Sequence, residues 1–180
     1  MSIIQSIYDL TNRSICSPPV YVGYLKRIVA GDISKAENST SHFCTYFLPY
    51  NPETGEIFLI HHKKSGLWLA PGGHLDKDET PTDTLKREVM EELGFEIKKP
   101  ETYQPFLLTM TKIPTRPNST CRMHYDIWYA IPTDGREFAV DMTEFFASQW
   151  ISLEGAREIV IDRQNLTAFA KIEEMLIKVP

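Results

Sequence analysis

The stretch from Thr80 to Gly94 constrains this chain most, because it carries the start, the stop and both faces of one helix. Thr80 is a residue type that caps helix N-termini. Pro81 suits the first helical position, where no backbone N–H is required. Asp83 stands three residues after the cap, a shorter version of the acid that completes a capping box. Gly94 stands where a glycine releases a helix into a left-handed turn. These signals predict a helix over residues 81–93. Leu85, Val89 and Leu93 fall on one stripe, facing a core. Glu88, Glu91 and Glu92 fall on an adjacent, exposed stripe spanning roughly 100° of helix surface. Like charges at these spacings cost about 0.2–0.5 kcal/mol per pair. A divalent cation reverses the sign, and Mg²⁺ is often held by a few carboxylates plus phosphate oxygens. A solvated acidic face is the plainer alternative. Pro71-Gly72-Gly73 lies a short loop upstream, where glycines permit close approach of a ligand to the backbone.

The remaining pattern is strand-rich in the middle and helical at both ends. Residues 43–48 and 57–60 are apolar runs, and Asn51-Pro52-Glu53-Thr54-Gly55 between them is a turn cluster, so a hairpin is predicted. Further strands are predicted over residues 106–113 and 123–131, joined by a loop carrying Pro114, Pro117 and Asn118, and over residues 145–151. Leu166, Phe169, Ile172, Met175 and Leu176 then recur at helical spacing behind a candidate cap, Asp162. At the N-terminus Ile3, Ile4, Ile7 and Leu10 have helical spacing, which Pro18-Pro19 breaks. Tyr21, Tyr24, Leu25 and Ile28 give a second amphipathic stretch closed by Gly31, and a polar loop over residues 34–41 follows.

A length of 180 residues suits one domain with an appendage. Net charge −5 argues against binding to a nucleic-acid backbone, and a small anionic ligand would need a local offset such as a metal ion. No apolar run approaches the roughly 20 residues of a membrane span, and no basic-then-apolar leader opens the chain. Cys16, Cys44 and Cys121 form no CxxC pair, so packing roles in a reducing cytoplasm are expected.

Gly73, five residues, Glu79, seven residues, then Arg87-Glu88-Val89-Met90-Glu91-Glu92-Leu93-Gly94-Phe95 resembles the Nudix box position for position. Phe95 is the one loose position, an aromatic where an aliphatic is commoner. Trp68-x-x-Pro71-Gly72-Gly73 resembles the strand that leads into that box. The likeness covers roughly residues 41–152. It implies an α/β (α+β) fold, an α/β/α sandwich with a mixed β-sheet. The hydrolase domain would span residues 41–180 with its C-terminal helix, and residues 1–40 would be an N-terminal helical extension.

The resemblance also implies an activity: metal-dependent hydrolysis of a phosphoanhydride in a nucleoside-diphosphate-linked small molecule, using Mg²⁺ or Mn²⁺. Carried over, Gly72 (by its carbonyl), Glu88, Glu91 and Glu92 are the metal ligands, Arg87 orients the glutamates, and Glu79 supports the loop. The general base is a box acid such as Glu92, or Glu144 in the loop before the last strand; Glu137 and Asp141 are weaker candidates. Arg122, His124 and Asp126 alternate along one strand and would either line the substrate pocket or form the polar face of an edge strand. Trp68 and Trp128 would stack on a base or fill the core. The His61–Lys64 basic cluster would meet phosphate or sit at a hairpin tip. Neither nucleic acid nor membrane is an expected partner, and a homodimer is compatible with the reading. Two alternatives share the fold: an isopentenyl-diphosphate isomerase-like enzyme, which needs a catalytic cysteine, and a non-catalytic nucleotide-sensing module, which usually lacks box glutamates.

Overall fold

The structure, a computed structural model, describes residues 2–117 and 119–177; Asn118 of the proline-rich loop lies outside the described residues. Strand β1 (Ser41–Tyr50) organises the sheet, because small and apolar residues on both its faces allow nearly all of it to be buried. On one flank it pairs in parallel with β6 (Met123–Pro132), from Ser41↔Met123 to Tyr50↔Pro132. β6 pairs antiparallel with β5 (Pro105–Lys112). The other flank of β1 takes β4 (Gly72–His74) across Cys44, Thr45 and Tyr46. β2 (Glu56–His62) meets β1 in register at Tyr50↔Ile57 and otherwise pairs with β3 (Leu67–Leu69) and β7 (Phe145–Ser152). The expected hairpin is therefore present with a short ladder. Asn51 Oδ1 accepts the Glu53 N–H, Gly55 takes φ 72°, and β1 then leaves β2 to pair with β4. The result is a seven-stranded mixed sheet.

Helices α1 (Ile3–Leu10), α2 (Pro18–Ala30) and α3 (Pro81–Leu93) share one core with the sheet. Ile7, Tyr24, Ile28, Leu85 and Val89 pack there with Phe43, Phe47, Ile127 and Tyr129, the odd-numbered residues of β1 and β6. Each such side chain contributes about 1.5–3 kcal/mol by leaving water. Pro18 and Pro19 open α2 at its first turn, and Gly31 closes it at φ 87°. The Tyr24 hydroxyl donates to the Asp126 carbonyl at 2.6 Å, so α2 is fastened to β6 as well as packed on it. Helices α4 (Leu153–Ile159) and α5 (Arg163–Ile177) cover the opposite face. There Ala156, Ala168, Phe169 and Ile172 meet Leu48, Leu59, Phe106 and Trp128. Asp162 caps α5, its Oδ1 accepting the N–H groups of Gln164 and Asn165. α4 has no counterpart in the sequence expectations. The layers make an α/β/α sandwich, and no helix among the described residues is long and apolar enough to cross a membrane.

Candidate active site

α3 starts and stops as its sequence requires. Thr80 Oγ1 accepts the Asp83 N–H at 3.2 Å, and Asp83 Oδ2 accepts the Thr80 N–H at 3.0 Å, which closes the capping box. Gly94 ends the helix at φ 60°, ψ 24°. The helix so defined lies against β4, and the acids on that side meet Gly72 and Gly73.

Arg87 joins the acids. Its Nε and Nη2 donate to the two oxygens of Glu79 at 2.8 and 3.0 Å. Its Nη1 donates to Glu88 Oε1 at 2.7 Å and Glu91 Oε2 at 3.0 Å, and Nη2 also reaches the His74 carbonyl at 3.1 Å. Thr84 Oγ1 donates to Glu79 Oε2 at 2.9 Å. Burial alone would raise the Glu79 carboxyl, but the hydrogen bonds from Arg87 and Thr84 outweigh it and hold the group below its ordinary range.

The expected exposed stripe is corrected. Glu91 is exposed, but Glu88 and Glu92 are buried, because β4 lies over them. The Gly72 N–H donates to Glu92 Oε2 at 2.7 Å. Gly73 leaves room for the Glu88 carboxylate, which a Cβ at that position would overlap. Burial pushes the Glu88 carboxyl up, with partial relief from Arg87. It pushes Glu92 well up, with the charge of Glu88 adding and the Gly72 N–H opposing. Three carboxylates on one guanidinium, with Glu92 beside them on the Gly72 N–H, all offer oxygen, the donor type that suits a hard divalent cation such as Mg²⁺ or Mn²⁺.

Residues 41–170 match the family model for the NUDIX domain. The chain belongs to the Nudix family. Among curated relatives, a "MutT-like protein" of Streptomyces ambofaciens is 41% identical over 49 residues, covering 27% of this chain and 32% of the relative. A "Probable DHNTP pyrophosphohydrolase" of Lactococcus lactis subsp. cremoris is 30% identical over 103 residues, covering 57% of this chain and 60% of the relative. The chain thus spans less than two thirds of the length of these relatives. Among solved structures, the E. coli dihydroneopterin triphosphate pyrophosphohydrolase superposes with TM-score 0.62 at 17% identity, covering 76% of this chain and 96% of that one.

The loop carrying Glu144 is tied to the Nudix helix: the Asp141 N–H donates to the Glu92 carbonyl at 3.1 Å, and the Glu144 N–H to the Asp141 carbonyl at 3.2 Å. Glu144 is exposed, and its charge is among those raising Glu88 and Glu92. Glu137 is exposed, and Asp141 is held below its ordinary range by Thr143 hydrogen bonds.

β6 lies between β1 and β5, so the edge-strand alternative for Arg122, His124 and Asp126 falls. Arg122 precedes the strand, is exposed, and donates to the Ser119 and Cys121 carbonyls. His124 and Asp126 are buried on the face turned away from α3. Asp126 Oδ2 accepts from Thr109 and Thr111, and burial lifts the carboxyl to about 7. Trp128 is a core residue, with Nε1 donating to Thr109 Oγ1 and its ring stacked on Tyr46. Trp68 stacks on His61 beside the β2–β3 turn, where the His61–Lys64 cluster forms a hairpin tip. Sequence reasoning missed Thr84 as a support for Glu79. It also missed His42, whose nearness to His124 depends on the parallel β1–β6 register, which no local pattern encodes.

Proposed function

We propose that this Nudix chain hydrolyses a phosphoanhydride bond in a nucleoside-diphosphate derivative, with Mg²⁺ or Mn²⁺ as cofactor. The observation that carries the reading is the meeting of Glu88 and Glu92 with Gly72 and Gly73 beside the Arg87–Glu79 pair. Buried acids of this kind are costly as anions until a cation joins them. Glu88, Glu91, Glu92 and the Gly72 carbonyl would hold the ion. When bound, the ion supplies charge neutralisation on the diphosphate and acidifies water. Arg87 holds Glu88 and Glu91 in place, and Glu79 fixes Arg87 from the far side. Glu144 serves as general base, exposed to solvent on a loop anchored at Glu92. Arg122, exposed and at the start of β6, contacts substrate. Residues 41–180 form the catalytic domain and residues 1–40 its extension. Three unpaired cysteines favour a cytoplasmic setting.

The isomerase alternative loses support because Cys44, the candidate upstream of the box, is buried, and burial pushes its thiol well above its ordinary value. The sensing-module alternative loses support because every box glutamate is present. The test is a screen with Mg²⁺ against dihydroneopterin triphosphate, an oxidised dNTP, ADP-ribose, a dinucleoside polyphosphate and a sugar nucleotide. The pterin triphosphate is included because the E. coli structure and the L. lactis relative carry that substrate in their names. Hydrolysis of at least one is expected, and Glu144→Gln should flatten the acidic limb of its pH–rate profile. Complete inactivity with both Mg²⁺ and Mn²⁺ would contradict the proposal, and an unchanged profile would return the base role to a box acid.

A further inference from the structure

β4 alternates across the sheet. Gly73 faces Glu88 on α3, whereas His74 points to the opposite face. There the strand registers gather an unusual set of side chains. Cys44 lies opposite His74 in the β1–β4 pair, and His42 lies opposite His124 in the β1–β6 pair. One ligand atom from each of His42, Cys44, His74 and His124 lies within 4.8 Å of the other three. The imidazole rings stand 4.8, 5.0 and 5.1 Å apart, centroid to centroid.

We propose that His42, Cys44, His74 and His124 form a site for one transition-metal cation of the Zn²⁺ class, separated by β4 from the carboxylate cluster. Three imidazoles and a thiol are borderline-to-soft donors that suit four-coordinate Zn²⁺ and not Mg²⁺. His124 is 7% exposed, yet neither ring nitrogen has a hydrogen-bond partner. Such a group is rarely left unsatisfied, and ligation would satisfy it. His42 is already oriented: its Nδ1 lies 2.8 Å from the Asn38 carbonyl, which can only accept, so Nδ1 carries the proton and Nε2 keeps its lone pair, met only by the weak donor Cys121. His74 is half-buried and gives the site its opening to solvent.

Coordination releases the Cys44 thiol proton to solvent and leaves a thiolate on the metal. Asp126 stands in register with Cys44, with its Oδ1 unpartnered. One neighbour must adjust. Lys35 Nζ, 3.3 Å from His74 Nδ1, turns outward when that nitrogen carries the proton. Cys121 Sγ, 3.7 Å from His42 Nε2 and 3.8 Å from His74 Nε2, stays outside the ligand set. The bound ion would tie β4 to β1 and β6 behind Gly72 and Gly73.

The test uses full-length protein stripped with chelator and titrated with Co²⁺ alone. One ion per chain is expected to give the intense visible bands of tetrahedral Co²⁺ and a thiolate-to-cobalt charge-transfer band in the near ultraviolet, both erased by Zn²⁺. Cys44→Ser should lose the charge-transfer band, whereas Cys121→Ser and Glu91→Gln should keep it. His124→Asn should weaken Zn²⁺ binding by at least ~10–100-fold, the range found for loss of even an outer partner of a metal ligand. Circular dichroism checks the fold of each variant, and the wild-type spectrum decides the matter if Cys44→Ser does not fold. A weak octahedral spectrum without a thiolate band, or a band that survives Cys44→Ser and vanishes in Cys121→Ser or Glu91→Gln, overturns the proposal.

Discussion

Glu79 and Arg87 form a two-pronged ion pair that is mostly shielded from water, and its worth can be read from pH. The Glu79 carboxyl sits below its ordinary 4.5 in the folded chain. Its contribution is therefore fully present above about 4.5 and is lost as pH falls through the lowered folded value. Glu79→Gln should cost about 1.5–3 kcal/mol at neutral pH, a typical loss for a hydrogen bond to a charged group. Melting curves of both proteins should converge as pH drops below that range; a gap of equal size at acid and neutral pH would contradict the assignment. Gly73 gives a second test. A Cβ there must displace the Glu88 carboxylate, so Gly73→Ala should lower turnover by ~100-fold, the order expected for a misplacement near 1 Å. The fold should persist, and wild-type turnover from this variant would show that Glu88 has no fixed station. These residues were singled out by their resemblance to the Nudix box. The burial of Glu88 and Glu92 was not readable, because a helical wheel reports neighbours along one helix and cannot see β4 laid across it.

At the scale of elements, α3 is the part most fully written into the local chain. Both of its ends carry their own signals, and the structure starts it at Pro81 and ends it at Leu93. Thr80→Ala removes an acceptor for the Asp83 N–H and should cost about 1 kcal/mol, read as a lowered urea midpoint with unchanged slope. A loss under a few tenths would mean that packing of Leu85, Val89 and Leu93 alone holds the helix end. The five longer strands were readable one by one but not in their order, and the single entry strand expected around Trp68 and Gly73 is two, β3 and β4, paired to different neighbours. Apolar runs announce β1 and β6, whereas their parallel register joins segments distant in the chain and is decided by packing of the whole. α4 escaped notice because it is short and contains Gly155, which weakens a helix; Ser152 caps it and Ala156 buries against the sheet.

Across the whole molecule, the two N-terminal helices lie outside the family match yet complete its core, since Ile7 and Tyr24 are fully buried beside Phe43 and Tyr129. That packing braces the sheet face on which α3 rests, and α3 in turn presents its acids to β4. A chain of net charge −5 concentrates carboxylates in a partly buried cluster, which the proposed function completes with a cation. The most direct measurement of that claim is Mg²⁺-dependent hydrolysis in ¹⁸O-labelled water by wild type and Glu92→Gln, with the substrate found by screening. Glu92→Gln preserves volume and can still accept from the Gly72 N–H, so folding should be retained. Label is expected in a phosphate product from the wild type, with a loss of ~1000-fold in the variant, about 4 kcal/mol of transition-state stabilisation. Near-normal turnover by folded Glu92→Gln at saturating Mg²⁺, or a wild-type product without label, would contradict that claim.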